Sequence, residues 1–171
     1  MAAQPFLSSH AIARVGGGLK AVTRLVRFEP HGDERGMLVA IETGGEVEFL
    51  IKRVYYIYGT NRNFVRGRHA HRNLRQLLIC VSGSCTLHTE GGDGKKASYR
   101  LDAPGIGLYV EGLVWREIRD LTPETVLLVL ADEIYDEADY IRDYQDFLAI
   151  RAALYESPAE TSSHDHHHPV L

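Results

Sequence analysis

The sequence predicts a mainly β protein: short strands closed into a sandwich or barrel, with one helix near the C-terminal end. Three observations carry this expectation. Nine short runs rich in β-branched and aromatic residues follow one another between residues 22 and 131. Clusters of Gly, Pro, Asp, Asn and Ser stand between them. One stretch alone, residues 135–156, carries apolar residues at helical spacing.

Taken in order, residues 1–19 are Ala-, Gly- and Ser-bearing and weakly patterned, and read as a flexible leader. Residues 20–155 read as a single domain. Its first run is VTRLVRF (22–28), followed by the turn HGDERG and the run MLVAIE (37–42). After ETGGE comes FLIKRVYYIY (49–58), and after GTNRN comes RGRHAH (66–71), which heads the run LRQLLICV (74–81). SGS leads into SCTLHTE (84–90), EGGDGKK into ASYRLD (97–102), and DAPG into IGLYV (106–110). LVWREIRD (113–120), the turn LTPE and TVLLVLA (125–131) complete the series. No sequence repeat and no heptad is present. Strands this short and this many suit a closed β architecture, which leaves few exposed edges. In the helical stretch, Tyr140, Tyr144, Phe147 and Leu148 fall on one face, with acids near the start. That stripe predicts core packing. Residues 156–171, SPAETSSHDHHHPVL after the glutamate, are polar and read as a disordered tail. Its histidines, His164, His166, His167 and His168, read as solvated.

Composition narrows the function. The apolar fraction of 44% supports a sizeable core. The net charge of −4 offers no basic footprint for nucleic acid, and no polybasic segment faces an anionic membrane. No apolar run is long enough to span a bilayer. The first twenty residues lack the basic start and apolar centre of a signal peptide. Cys80 and Cys85 have opposite parity along one predicted hairpin, so a disulfide between them is not expected. Both read as reduced, buried residues, which suits the cytoplasm.

The chemistry starts at His69 and His71. Residues two apart on a strand share a face, so both imidazoles point into one pocket. This spacing resembles the first motif of the cupins, whose metal-binding members carry two histidines, a glutamate and a glycine, then a third histidine after a Pro-x-Gly turn. Here Gln76 stands at the glutamate position and Gly83 follows, while the third-histidine position falls near Val110, beyond Pro104 and Gly107. Two imidazoles and an amide make a poor shell for a divalent metal, so no metal and no cofactor are expected. Arg53 and Tyr55 share parity on the run 49–58, and Arg66 precedes the histidines. A cavity lined by His, Tyr and Arg suits an anionic substrate that must lose a proton. Imidazole titrates near neutrality, and arginine holds phosphate without losing its charge.

More of the chain resembles one family. DERGMLVAIE, IKRVYYIY, RGRHAH, LICVSGSC, LDAPGIGLYV, VWREI, VLLVLA and YDEADYIRDYQDF are similar, in this order, to the WxcM-like sugar 3,4-ketoisomerases that act on dTDP-4-keto-6-deoxyglucose. The resemblance implies a small cupin (double-stranded β-helix or jelly-roll) barrel with a C-terminal helix, a homodimer with exchanged strands, and no required metal. It also implies a reaction. A base removes the proton on sugar carbon 3, which the 4-keto group acidifies; an enediolate forms, and reprotonation at carbon 4 leaves a 3-keto sugar. By the same resemblance His69 is the base, His71 a proton relay or oxyanion binder, and Tyr55 assists proton movement between carbons 3 and 4. Arg53 and Arg66 are candidates for the diphosphate and the sugar. Arg35 and Arg116 occupy variable pocket positions, and Gln76 orients a histidine or touches substrate. Arg68 and Arg75 depart from the family pattern and are expected to face outward by parity. The competing expectations are a 3,5-epimerase of the same fold and a nucleotide-sugar-binding module without turnover.

Overall fold

The computed structural model describes residues 14–15, 18–19 and 21–155. The tail 156–171, with its histidines, and most of the leader lie outside the described residues. Fourteen strands and one α-helix make up the described chain. In order they are β1 (Arg14–Val15), β2 (Gly18–Leu19), β3 (Ala21–Arg27), β4 (His31–Asp33), β5 (Gly36–Leu38), β6 (Arg53–Ile57) and β7 (Arg66–His71). There follow β8 (Arg75–Ser82), β9 (Cys85–Gly91), β10 (Lys96–Leu101), β11 (Ile106–Gly112), β12 (Val114–Arg119), β13 (Val126–Ala131), β14 (Tyr140–Ile141) and the helix α1 (Tyr144–Tyr155).

Two five-stranded antiparallel sheets face each other, in the orders β10-β9-β12-β7-β14 and β3-β11-β8-β13-β6. This is the mainly β architecture with a C-terminal helix that the strand pattern predicts, in the cupin-like form that the family resemblance implies. Between the sheets lie Leu78, Cys80, Leu87, Leu101, Leu108, Val110, Ile118, Leu127 and Val129, all buried. Each such aliphatic side chain contributes about 1.5–3 kcal/mol by leaving water. The outer face of the second sheet is also covered. Val47 and Phe49, from the irregular segment before β6, pack on Leu77, Ile79, Tyr109 and Leu130. The outer face of the first sheet receives α1, where Phe147 meets Trp115, Leu113 and Ile141.

Three expectations change. MLVAIE forms a strand only through Gly36–Leu38, because its apolar residues Val39 and Ile41 turn down onto the sheet instead. The helix begins at Tyr144, not near residue 135. Asp143 caps it, accepting hydrogen bonds from the backbone amides of Gln145 (2.7 Å) and Asp146 (3.3 Å). Residues before it form a 3₁₀ turn at Glu137–Asp139 and then β14, which pairs with β7 through Tyr140↔His71 and Ile141↔Ala70. Tyr140 therefore leaves the helical stripe. The cysteine parity argument fails as well. A turn at Gly83 puts Cys80 and Cys85 on different strands, where both side chains enter the same core; both are free thiols.

Candidate active site

Strand alternation builds the site. On β6, Arg53, Tyr55 and Ile57 are half-buried while Val54 and Tyr56 are exposed, so the first set faces the barrel interior. On β8, Gln76 and Leu78 point the same way, as do Arg116 and Ile118 on β12. On β7, Gly67 adopts a φ of 82°, a conformation that suits glycine, and its missing side chain leaves room for Ile118. The β7–β12 register shifts between Arg116 and Ile118 beside it, with Arg116 opposite His69. The bulge re-aims this end of the strand toward the cavity.

The cavity has a volume of about 460 Å³ and is lined by Arg53, Tyr55, Arg66, His69, Gln76, Arg116, Tyr135, Tyr140 and Arg142 over a floor of Ile57, Leu78, Ile118 and Val129. That volume is in the range of small-molecule sites. The His69 and His71 rings meet edge to face at 4.9 Å, and Tyr140 lies 5.0 Å from the first and 4.3 Å from the second. His71 is fully buried behind this surface, and its Nδ1 is 2.7 Å from Asp139 Oδ2. Gln76 is the hub of the floor: its Nε2 donates to the Tyr55 hydroxyl at 3.0 Å, and its Oε1 accepts from Arg116 Nη1.

The charges are unusual. Arg116 is buried without a carboxylate at hydrogen-bond distance among the described residues, and its Nε and Nη2 have no partner there. Burial pulls its pKa down to about 10, which still leaves it charged at neutral pH. Burial, then the Arg116 charge, then His71 and Arg142, push His69 down to about 2. His71 is held at about 4: burial lowers it, the Asp139 hydrogen bond raises it, and Arg116 lowers it again. Burial works to raise Asp139, but hydrogen bonds from His71 and the Asn73 amide outweigh it, and its pKa is lowered. So at neutral pH both imidazoles are neutral and Asp139 is ionised. Burial raises the Tyr55 hydroxyl pKa, against the pull of Arg116, so the phenol keeps its proton.

These residues do not fit a metal. The Gln76 amide is spent on Tyr55 and Arg116, and the Arg116 charge beside His69 opposes a second cation there. Among the described residues no three His, Cys, Asp or Glu side chains converge as a shell.

Of the residues the sequence singled out, His69, Tyr55, Arg53, Arg66, Gln76 and Arg116 line the cavity, and His71 backs it. Arg35 does not join them. It sits on the exposed β4–β5 hairpin, its guanidinium paired with Asp33 at 2.5 Å. Arg68 faces outward, 3.7 Å from Glu117, and Arg75 pairs with Asp132 on the opposite side of β8 from Gln76. Sequence reasoning missed Tyr135, Asp139, Tyr140 and Arg142. Their signal was present in YDEADYIRDY, but helical spacing assigned that stretch to packing.

The WxcM-like, C-terminal family profile matches residues 21–152. A TDP-4-oxo-6-deoxy-α-D-glucose-3,4-oxoisomerase of Aneurinibacillus thermoaerophilus is 44% identical over 124 residues, covering 72% of this chain and 88% of its own. A 3,4-ketoisomerase from Helicobacter canadensis is similar in structure (TM-score 0.73, 42% identity, 75% of this chain and 96% of that one). So is a histidine-to-asparagine mutant of a 3,4-ketoisomerase from Thermoanaerobacterium thermosaccharolyticum, solved with TDP-4-keto-6-deoxyglucose (TM-score 0.75, 39% identity, 79% and 97%). The fold and these relatives define a sugar-nucleotide isomerase. The chain belongs to the WxcM-like family of sugar 3,4-ketoisomerases.

Proposed function

We propose that this isomerase converts TDP-4-keto-6-deoxyglucose to its 3-keto isomer through an enediolate. The observation that carries the reading is one cavity holding a neutral imidazole, His69, beside a buried guanidinium, Arg116, with two unpartnered N–H donors. His69 takes the proton from carbon 3. The negative charge then grows on the sugar oxygens, where Arg116 meets it in a water-poor site. Tyr55, still protonated and oriented by Gln76, moves a proton between the two oxygens as carbon 4 is reprotonated. Arg53, Arg66 and Arg142 bind the diphosphate and the sugar.

Two further parts of the reading concern assembly and place. The outer face of β6 and its surroundings expose Val54, Tyr56, Tyr58, Leu50 and Phe64, an apolar face suited to a second copy of this chain. The β4–β5 hairpin pairs only with itself and exposes Met37 and Leu38. Exchanged between two copies, it carries Arg35 to the other copy's cavity. Analytical ultracentrifugation reads a dimer if so; a monomer at assay concentration rejects the exchange. Reduced cysteines support a cytoplasmic setting.

The test is proton NMR in deuterium oxide with TDP-4-keto-6-deoxyglucose. A 3-keto product supports the reading, and the coupling at carbon 4 reports the configuration. Exchange at carbons 3 and 5 with inversion replaces it with an epimerase. His69→Asn is expected to lower kcat by about 10²–10⁴-fold while TDP binding, read by calorimetry, survives. Unchanged turnover rejects His69 as the base.

A further inference from the structure

His71 has two ring nitrogens with different fates. Nδ1 is 2.7 Å from the Asp139 carboxylate. Nε2 is buried and has no partner among the described residues. A carboxylate only accepts hydrogen bonds, so the proton of a neutral His71 sits on Nδ1 and Nε2 carries a bare lone pair. Arg116, on the neighbouring strand β12 opposite His69, is charged and has unpartnered Nε–H and Nη2–H donors. A buried acceptor directly behind the cavity wall formed by His69 and Tyr140, and buried donors on the wall itself, are thus both unsatisfied among the described residues. Leaving such groups without partners costs free energy, so the arrangement is complementary to a group that donates and accepts at once. A hydroxyl does both.

We infer that Asp139 is a positioning residue that fixes the His71 tautomer, so that His71 Nε2 and Arg116 together take one hydroxyl of the bound sugar. The inference rests on the ketoisomerase reading and narrows it. A lone-pair acceptor cannot bind an oxyanion. Of the two roles open to His71, proton acceptance remains, and anion binding falls to Arg116. The sugar hydroxyl donates its proton toward His71 Nε2 while its oxygen accepts from Arg116. When that oxygen becomes the carbonyl, its proton goes to His71 Nε2 while Tyr55 gives its phenol proton to the neighbouring sugar oxygen. The His71 proton then returns to the Tyr55 phenolate, and Arg116 is the counter-ion throughout.

Asp139 also holds the chain. Its Oδ1 accepts from the Asn73 amide at 3.0 Å, and its backbone carbonyl accepts from the Arg72 amide. Asp139→Asn keeps both bonds. With its oxygen held by Asn73, the amide NH₂ then faces His71 Nδ1 and reverses the tautomer.

Heteronuclear NMR of the His71 ring nitrogens tests this, assigned with a His71→Asn control. The wild-type protein is expected in the Nδ1–H form and Asp139→Asn in the Nε2–H form. Turnover should fall about a hundredfold or more, with affinity for TDP, which lacks the sugar, unchanged. An Nε2–H tautomer in the wild type overturns the inference. So does a reversed tautomer with undiminished kcat, or a lost kcat with the tautomer unmoved, which marks a purely structural role. If the wild-type enzyme does not turn over TDP-4-keto-6-deoxyglucose at all, the substrate reading has failed. The tautomer arm needs no substrate and then decides the positioning claim alone.

Discussion

Along β8 the inward side chains change from Gln76 to Leu78 to Cys80, and β6 changes in parallel from Arg53 and Tyr55 to Ile57. On β12, Arg116 gives way to Ile118. One barrel therefore has two ends with opposite chemistry. At the apolar end the buried groups are satisfied by contact alone, and close packing is what holds the sheets together. At the polar end a charged guanidinium with two unpartnered N–H groups and a bare imidazole nitrogen are buried, which costs stability. The same β scaffold lets the first end support the second, and stability and reactivity are separable along a strand.

That separation can be broken from either side. Leu127, buried between the sheets, is expected to cost about 2–5 kcal/mol on truncation to Ala. Below its lowered Tm, the Leu127→Ala protein should keep its kcat; a specific loss of kcat with little destabilisation would mean the two ends are coupled. Arg116→Met tests the other end. Removing one preorganised donor site should lower kcat by about 10²–10³-fold, while thermal stability holds or rises, because a buried charge without a counter-ion is removed. A drop in Tm would show that Arg116 is part of the structural core.

The pH dependence sharpens the comparison further. His69 and His71 have folded-state pKa values of about 2 and about 4, against 6.5 for free imidazole. The bare bases are present at every pH above those values and are lost as the pH falls through them. So kcat/KM should stay flat from neutrality down to about pH 5 and decline only below it. A diphosphate in the cavity raises imidazole pKa values, which places the acid limb of kcat at a higher pH than that of kcat/KM. Stability follows the same sign. The unfolded chain takes up protons below 6.5 that the folded histidines refuse, so unfolding becomes easier as the pH drops from 6.5 toward 4. A kcat/KM limb centred near neutrality would contradict the depressed histidines. The smallest effect is expected from Arg35→Ala: its ion pair with Asp33 is fully exposed, so Tm should not move measurably. A shift in sedimentation instead would place the hairpin in a contact between copies.

The barrel was legible because period-two alternation and turn residues survive in a single sequence. His69 and Tyr55 were legible because parity alone sends them inward. Tyr140 was not, because YDEADYIRDY has helical spacing, and the backbone follows pairing with β7 instead, a partner about seventy residues away in sequence. Asp139 was hidden for the same reason. Arg35 was expected in the pocket by resemblance, yet the hairpin that carries it pairs with no other strand among the described residues. Where a strand finds its neighbour across such distances, local pattern carries no record of it.

β14 is only two residues long, and it has a consequence for anyone redesigning this chain. The last long strand ends at Ala131, which looks like a natural place to cut, since the two large sheets are by then nearly complete. A protein shortened there would keep its greasy interior and lose Asp139, Tyr140 and Arg142 together. It would also lose α1, and with it the cover over Leu113 and Trp115 on the outer face of the first sheet. Fusions, permutations and minimal scaffolds built from this chain need their new end beyond Tyr155.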